Sequence, residues 1–429
     1  MTNSLTHFWN QLQASSFLKK AGIVAFGTII AQGILILFVP FLSRIYTVEQ
    51  FGLLGIFMLV GMFGIQLLTW RFDYGIASSD TADSARNILS LCMVTAIGST
   101  IIYGALLLLL EPALSLKGGF EIKGYLVWIL FYGYSGSIWN AFTLYNIRMA
   151  DYKLNAGFTI LRAMLIVTTS FLMQDADFNG LIAGLVTGQL FATILLVAIT
   201  TKQMPVPFWG ASGFSVSTLL NTAKSSAGFL KYSFPSAAIE LFSGQLPQFF
   251  IGTFGATGFG WFSQANRLLN APLDLLGQSI RAVFWETGSK QFRQEGQCIV
   301  LFDKIMFRLA GFSILPFILL FWLAPWLFGF VLGEGWEEAG HFARLLVPLC
   351  FFRFISNPLS SMFYIAEKQR YDFSIQAIVL VLVIVLYFFP GLGIHKVESA
   401  IMLYSAIYSC KYLAELWFSR QFAIGLKQS

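Results

Sequence analysis

Stretches of about 20 mostly apolar residues follow one another along almost the whole chain of 429 residues. A helix needs roughly 20 such residues to cross the hydrocarbon core of a bilayer. Because lipid cannot satisfy backbone N–H and C=O groups, stretches of this length are expected to form helices. The charged fraction of 11% is well below the roughly 25% of soluble domains. The sequence therefore predicts an all-α polytopic membrane protein.

Charged residues, prolines and glycines divide the apolar residues into about twelve spans, in two sets of six. The predicted spans are 20–43, 51–71, 87–110, 124–147, 156–174 and 179–200, followed by 233–254, 257–284, 305–328, 341–365, 371–391 and 397–418. Between the sets, residues 201–232 are polar and rich in Gly, Ser and Pro, which is typical of a linker. We predict two six-helix lobes, residues 1–200 and 233–429, joined by this linker.

The basic residues predict the orientation of the spans. Sixteen Lys and Arg residues fall in loops and tails on one side of this layout, and only Arg44, Lys117, Lys123 and Lys396 fall on the other. Since an excess of basic residues marks the cytoplasmic side, both termini and the linker are predicted to be cytoplasmic. Before the first span, an amphipathic surface helix is predicted from the spacing of Leu5, Phe8, Trp9 and Leu12.

Two short stretches suggest an internal repeat. "YTVEQFGLLGIF" at 46–57 and "FGATGFGWFSQA" at 254–265 each place an aromatic–Gly pair at the start of the second helix of a half. Six helices per half is an even number, so the two halves would have the same orientation, as in transporters with parallel repeats. Separately, Gly180, Gly184 and Gly188 form a small-residue stripe that predicts a close helix contact.

The stretch "QANRLLNAPLDLLGQSIRAVF" at 264–284 carries Arg267, Asp274 and Arg281 at intervals of seven residues. Seven residues return to within about 20° of the same helix face and rise about 10 Å. The three charges therefore share one stripe but lie too far apart to pair well with one another. Each needs a partner across a cavity or a ligand, and the polar residues on or beside the stripe are Gln264, Asn270 and Gln278.

Prolines in the spans remove backbone hydrogen bonds and predict kinks at Pro40, Pro235, Pro247 and Pro272. A kinked helix with a polar stripe favours one bendable wall of a central polar cavity. A buried ion-pair network that only sets helix packing is the alternative.

Other charges also fall within or beside spans: Arg71, Arg162, Arg353, Asp73 and Glu240. An ionised group that faces lipid at mid-bilayer costs about 2.5–3.5 kcal/mol, so these groups should face protein or a watery cavity. Arg344 and Lys411 lie near span ends, where long side chains can snorkel to the interface. Lys411 could also pair with Glu415, four residues along the helix.

Several kinds of chemistry are excluded by the sequence. The chain has no Gly-Lys pair and hence no P-loop, and it has neither a His-Glu-x-x-His helix nor a Gly-x-Ser-x-Gly elbow. Its four Cys and three His residues are scattered, so we expect no metal site and no cofactor. Asp175 and Asp177 in a short outer loop are interpreted as a polar turn. The basic residues form no run that indicates nucleic-acid binding.

Several stretches resemble, in the same order, the polysaccharide transport flippases of the MOP exporter superfamily, in particular its O-antigen and capsule (Wzx-type) branch. They are "LSRIYTVEQFGLLGIF", "WRFDYGIA", "GLIAGLVTGQL", "FGATGFGWFSQANRLLNAPLDLLGQSI" and "LGEGWEEAGHFARLLVPLCFFRFISNPLS". The resemblance implies a twelve-helix, two-lobed transporter that moves undecaprenyl-pyrophosphate-linked oligosaccharide from the cytoplasmic to the periplasmic leaflet of a bacterial inner membrane. Arg71 matches the arginine of the family's Arg-aromatic-acid pattern, and Asp73 stands where relatives commonly have Glu.

The resemblance and the charges together suggest a mechanism. Arg71, Arg267 and Arg281, with Arg162 and Arg353, would bind the diphosphate or acidic sugars by charge-assisted hydrogen bonds. The acidic residues Asp73, Asp274 and Glu240 would pair with them in the empty state and take up the coupling ion, a proton or sodium. Stacking on sugar rings is a candidate role for the aromatic residues Trp70, Trp139, Tyr145 and Trp261. The implied partners are membrane lipids, a polysaccharide polymerase and a chain-length regulator.

Three alternatives remain open. A drug or cation antiporter of the same superfamily would be expected to have an acidic cavity, whereas the deep charges here are mostly basic. A membrane polymerase or glycosyltransferase is disfavoured by the short outer loops. A third possibility is a non-transporting scaffold within a polysaccharide assembly complex.

Overall fold

The computed structural model describes residues 16–114, 122–176, 178–204, 215–388 and 394–425. Every regular element in these ranges is a helix, which confirms the predicted all-α class. The predicted amphipathic segment that contains Leu5, Phe8, Trp9 and Leu12 lies outside the described residues, and so do Lys117 and Asp177.

The helices of the first half are α1 Ser16–Ile45, α2 Val48–Leu67, α3 Asp73–Ala77, α4 Ala82–Leu114, α5 Ile122–Arg148, α6 Tyr152–Leu172, α7 Gly180–Gln203 and α8 Val216–Ser225. A π-helical turn, Phe229–Ser233, leads into the second half. The helices that follow are α9 Phe234–Gly252, α10 Ala256–Glu295, α11 Ile299–Leu332, α12 Glu337–Leu359, α13 Met362–Ile365, α14 Gln369–Phe388 and α15 Val397–Ile424. Each of the twelve predicted spans overlaps one of the long helices.

In the described part of the chain, eight helical segments are long and apolar enough to cross a membrane: α1, α2, α4, α6, α7, α11, α12 with α13, and α14. The four remaining predicted spans, α5, α9, α10 and α15, are helices of lower apolar content. Twelve crossings therefore stay a prediction. Helix α10 also continues to Glu295 rather than ending at 284, because the polar segment 286–295 extends it without a break.

The chain divides into two compact units. Among the described residues, unit 1 contains 16–45, 57–114 and 122–238, and unit 2 contains 46–56 and 239–425. In unit 1, α6 packs against both α1 and α7, and α5 packs against α4 and α7. In unit 2, α12 is the central helix, since it packs against α10, α11 and α15.

The predicted linker is partly helical. Its described portion contains α8 and the π-helical turn, and both belong to unit 1. Leu219 and Ala223 of α8 and Phe229 of the turn pack against the core of unit 1 around Phe72 and Phe142. Residues 215–233 thus form part of a folded unit rather than an extended connection.

The glycine stripe of α7 makes the predicted close approach. A Cβ atom at Gly184 would collide with the backbone of Ser170 on α6, and one at Gly188 would collide with the backbone of Ile166. The Thr169 hydroxyl donates to the Gly184 carbonyl at 2.7 Å, so the helices are also joined by a hydrogen bond at this crossing. Small residues and such bonds are what holds helices together in lipid.

The two aromatic–Gly pairs lie against each other within unit 2. A Cβ at Gly52 would collide with the Ala256 carbonyl, and a Cβ at Gly260 would collide with the Val48 carbonyl. The contact is reciprocal, because each glycine approaches the residue that precedes the other glycine by four positions. The two backbones can meet this closely only because both positions lack a side chain.

Three of the four predicted kink prolines, Pro40, Pro247 and Pro272, lie inside helices. Pro235 is instead the second residue of α9, directly after the π-helical turn. The π-helical turn runs without a break into α9, so the missing N–H lies within continuous helical backbone. Prolines and π-helical turns are both common sites of helix kinks.

Arg344 supplies a hydrogen-bond donor that Pro325 removes from helix α11. Pro325 has no N–H, so the carbonyl of Phe321, four residues earlier in α11, loses its usual donor. The Arg344 guanidinium on α12 donates to this carbonyl at 2.8 Å and to the Trp322 carbonyl at 2.9 Å. Since lipid offers no donor, this contact accounts for Arg344 better than the predicted snorkelling does.

This account of Arg344 is tested by a double-mutant cycle. Arg344→Leu should destabilise the protein by about 1–3 kcal/mol, because two carbonyls lose their donor. In a Pro325→Leu background the same change should cost much less, since residue 325 regains an N–H for the Phe321 carbonyl. Thermal unfolding in detergent of the four proteins measures the coupling, with Arg308→Leu at an exposed position of α11 as control. Additive effects would contradict the account.

Candidate functional site

The polar stripe of α10 faces α12 inside unit 2. Arg353 of α12 donates from Nη1 to Asn270 Oδ1 and from Nη2 to Asp274 Oδ1, both at 2.6 Å. Asn270 in turn donates to Asn266 Oδ1 at 2.6 Å. Asp274 thus has a partner across the helix interface, as its position on the stripe required. Because Arg353 and Asp274 neutralise each other, both are far less available to a ligand than the sequence suggested.

Arg281 joins the other end of the stripe to the end of α12. It donates to the Asn357 carbonyl from Nε at 3.2 Å and from Nη2 at 2.8 Å. Its Nη2 also donates to Asn357 Oδ1 at 2.6 Å and to Ser360 Oγ at 3.2 Å. Carbonyls in the last turn of a helix lack intrahelical donors, so Arg281 caps α12. The Arg281 side chain is nevertheless exposed, which leaves it accessible to an anion.

One face of α12 makes all of these contacts. Arg353, Ser356, Asn357 and Ser360 are spaced i, i+3, i+4 and i+7, so they line a single face. We call this set the α12 polar face. Sequence reasoning missed it, although the spacing is visible in "RFISNPLS" at 353–360.

The α12 polar face also reaches α15. Ser356 Oγ lies 3.5 Å from Glu415 Oε2, and Glu415 Oε1 lies 3.2 Å from Lys411 Nζ. The predicted Lys411–Glu415 pair is therefore present, and the side chains of Lys411 and Glu415 are only 11% and 6% exposed. Polar contacts on α12 thus connect α10 on one side with α15 on the other.

The other predicted residues of unit 2 are not drawn into this network by hydrogen bonds. Gln264 is buried with Nε2 unpartnered, and Gln278 is exposed. Arg267 is half-buried and engaged in an interaction of its own. Glu240 is exposed on α9, and its charge and that of Arg281 both act on the Tyr364 hydroxyl. Asp274, which was expected to find a partner away from its own stripe, is paired with Arg353.

In unit 1, Arg71 occupies a strained turn between α2 and α3. Trp70 and Arg71 have φ angles of 53° and 62°, in the left-handed region. Such a conformation costs on the order of 1–3 kcal/mol per non-glycine residue and is found most often at functional sites. The Arg71 guanidinium lies 4.2 Å from the centre of the Tyr74 ring, and its buried Nε has no hydrogen-bond partner.

Asp73 follows this turn, and its side chain is buried in the core of unit 1. Its side chain is 5% exposed and accepts a hydrogen bond from Thr69 Oγ1 at 2.9 Å. Burial raises the pKa of the Asp73 carboxyl above its usual value, and the Thr69 hydrogen bond and the Arg71 charge only partly oppose this. Asp73 therefore supports the local fold of α3 and leaves Arg71 without a direct ion pair among the described residues.

Arg162 lies at the midpoint of the 21-residue helix α6. Its guanidinium is 5.1 Å from the centre of the Trp139 ring on α5, and Trp139 itself is buried. In the described part of the chain, no carboxylate lies within ion-pairing distance of Arg162. The described residues also contain no group of three His, Cys, Asp or Glu that could hold a metal ion.

The Arg353–Asp274 contact can be tested by its coupling energy. Arg353→Met and Asp274→Asn should each destabilise the protein, because each leaves a charged partner without its counterpart. The double variant should be less destabilised than the sum, by about 0.5–3 kcal/mol. A value near the lower end is expected, since Asp274 is 39% exposed and partly screened by solvent. Thermal unfolding in detergent measures the stabilities of the four proteins in the cycle. Asp83→Asn is the control, because Asp83 is 74% exposed although it pairs with Arg86. Strict additivity would mean that the pair does not act as a unit.

Three solved structures show what the fold is similar to. "Lipid II flippase MurJ, inward closed conformation" matches with a TM-score of 0.71 and 13% identity, covering 94% of this chain and 87% of that chain. An inward-facing multidrug resistance MATE family transporter of the MOP superfamily matches with a TM-score of 0.57 and 13% identity, over 92% and 94% of the two chains. A MOP superfamily transporter from Pyrococcus furiosus, described as having a binding pocket of reverse polarity, matches with a TM-score of 0.52 and 12% identity, covering 94% of this chain and 95% of that chain.

At these identities the likeness shows the fold alone, which the chain shares with two transporters described as members of the MOP superfamily, the superfamily that the sequence resembles. No curated protein sequence matches the chain. A family model described as "Polysaccharide biosynthesis protein" matches residues 41–341, which is well over half of the chain. The chain belongs to this polysaccharide biosynthesis protein family.

Proposed function

We propose that the protein is a flippase for undecaprenyl-pyrophosphate-linked oligosaccharide. It would move repeat units for O-antigen, capsule or exopolysaccharide from the cytoplasmic to the periplasmic leaflet of the bacterial inner membrane, by ion-coupled alternating access. The family description and the transporter fold support the general class. The substrate class is supported by the arginines of the two units, because a lipid diphosphate is an anion.

Arg162 is the observation that carries the proposal. With a rise of 1.5 Å per residue, the midpoint of α6 lies roughly 15 Å from either end of the helix, which is mid-bilayer for a hydrocarbon core of about 30 Å. A charge there costs about 2.5–3.5 kcal/mol on a permissive scale. A cation–π contact such as that with Trp139 returns about 0.5–2 kcal/mol. The remaining cost is expected to be met by water and, during transport, by an anionic ligand.

Arg71 and Arg281 are the next candidates to contact the anion. Arg71 is held in a strained turn with one buried donor unpartnered, and Arg281 is exposed although it caps α12. Guanidinium groups bind phosphate oxygens in a fork geometry, which suits a diphosphate. Arg353 has a different role in this proposal: it holds α10 against α12 through Asp274 and Asn270.

The proposal includes two halves related by a parallel repeat. The reciprocal contact of Gly52 with Ala256 and of Gly260 with Val48 supports this, because equivalent residues of the two aromatic–Gly stretches meet in equivalent ways. A cation antiporter of the same superfamily has less support, since the mid-membrane charge of α6 is basic and lacks a carboxylate partner among the described residues.

Replacing Arg162 tests the proposed function. In a strain that lacks the gene, a plasmid encoding Arg162→Met should give roughly 10- to 100-fold less surface polysaccharide than wild type, the loss expected when a charged hydrogen bond to substrate disappears. Arg162→Lys should retain part of the activity, because the charge remains.

The same variants separate binding from folding. Met at position 162 removes a costly membrane charge, so the amount and thermal stability of the membrane-inserted protein should not fall. Arg308→Met on the exposed surface of α11 is the matched control and should support normal polymer. Normal surface polysaccharide from Arg162→Met would exclude the assignment of this residue.

A further inference from the structure

Lys411 and Glu415 form a buried ion pair that the proposed mechanism does not use. Their side chains are 11% and 6% exposed, and they face each other one turn apart on α15. Replacing such a pair by apolar residues of similar volume is often neutral or even stabilising, by about 1–4 kcal/mol, so stability alone does not explain its presence. Ionisable groups inside a membrane protein are commonly functional.

The pair is connected to Arg281 through the α12 polar face. Glu415 Oε2 lies 3.5 Å from the Ser356 hydroxyl. The next residue, Asn357, accepts from Arg281 through both its carbonyl and its side chain. Two neighbouring residues of one helix turn therefore hold the carboxylate on α15 and the guanidinium on α10. We therefore expect a change at one of these contacts to affect the other.

We infer that Glu415 is a proton-binding residue whose protonation and the binding of a diphosphate anion at Arg281 promote each other through the α12 polar face. The inference rests on the proposed function in one respect, the assignment of Arg281 to the anion. Protonation removes one negative charge and leaves Lys411 without its neutralising partner. Unit 2 thereby becomes more positive, which favours an anion. By thermodynamic linkage, binding of the anion then favours the proton to the same extent.

Among the described carboxylates of unit 2, Glu415 is the only one that is buried. Asp274 is held by Arg353, and Asp303 of α11 is held by Arg420 of α15 at 2.8 Å. The charged and titratable groups that act on the pair are Tyr412 on α15 and Asp372 on α14, and Arg353 on α12 acts on Tyr412. The Asp372 Oδ2 lies 3.4 Å from the Tyr364 hydroxyl on α13. The Asp372 charge acts on both Lys411 and Glu415. When Glu415 takes up a proton, Asp372 therefore still favours the ammonium form of Lys411.

The test measures anion binding to the full chain in nanodiscs at mildly acidic and mildly alkaline pH. The two probes are undecaprenyl diphosphate and inorganic pyrophosphate. Wild type should bind both more tightly at acidic pH, by about 5-fold or more beyond the effect of ligand ionisation, and should take up protons from a weakly buffered solution on binding. Glu415→Gln should lose this additional pH dependence and the proton uptake.

Matched variants keep the result interpretable. Glu398→Gln removes an exposed carboxylate from the first turn of the same helix, so it controls for the loss of a carboxylate and should keep the pH dependence and the proton uptake of wild type. Ser356→Ala should bind the anion but show a weaker pH dependence, because it interrupts the connection. If Glu415→Gln folds poorly, Lys411→Met/Glu415→Gln replaces it, since the neutral pair leaves no uncompensated charge.

The outcomes separate the inference from the proposed function. Binding with the same pH dependence and proton uptake in Glu415→Gln as in Glu398→Gln would overturn the inference and leave the flippase proposal intact. Proton-linked binding of inorganic pyrophosphate without any binding of undecaprenyl diphosphate would support the inference and count against the lipid substrate. Absence of binding of both probes would overturn both.

Discussion

The arrangement of unit 2 depends on the salt bridge of Arg353 with Asp274 and the hydrogen bond of Arg353 to Asn270. A charge that faces lipid is costly, and an arginine and an aspartate on different helices remove that cost only if they meet. Their meeting at 2.6 Å fixes which side of α10 faces α12. Once that register is set, Arg281 reaches the end of α12, and the opposite flank of the α12 polar face reaches Glu415 on α15. Helix packing and charge placement in this unit thus have one common cause.

The arginines fall into two groups according to the residues they contact. Arg344 satisfies carbonyls near Pro325, and Arg353 neutralises Asp274, so both have structural partners. Arg162 and Arg71 are different, because among the described residues their guanidinium groups contact the aromatic rings of Trp139 and Tyr74 rather than carboxylates. Arg281 belongs to both groups, since it caps a helix and remains exposed. We therefore expect Arg162, Arg71 and Arg281, rather than all of the basic residues, to contact an anion.

The sequence was sufficient for the fold class, because the length of an apolar segment decides whether it can span a bilayer, and a spanning segment of this kind is a helix. It also predicted the Gly184 crossing and the Lys411–Glu415 pair, which depend on spacing within a single helix. It could not identify the partner of Asp274, because that partner is 79 residues away and only the packed structure brings it near. It could not identify the contacts of Arg344 for the same reason, since the carbonyls that Arg344 satisfies are on another helix. The α12 polar face is an exception: its spacing was readable in the sequence and was overlooked.

The central claim is that these arginines serve the translocation of a lipid-linked anionic oligosaccharide. The most direct measurement is mass spectrometry of membrane lipids from a strain in which the gene is deleted. The account predicts accumulation of an undecaprenyl-pyrophosphate-linked oligosaccharide and its return to the wild-type amount when the gene is restored. Loss of surface polysaccharide without any accumulated lipid-linked oligosaccharide, or a strain with unchanged lipids and normal polymer, would contradict it.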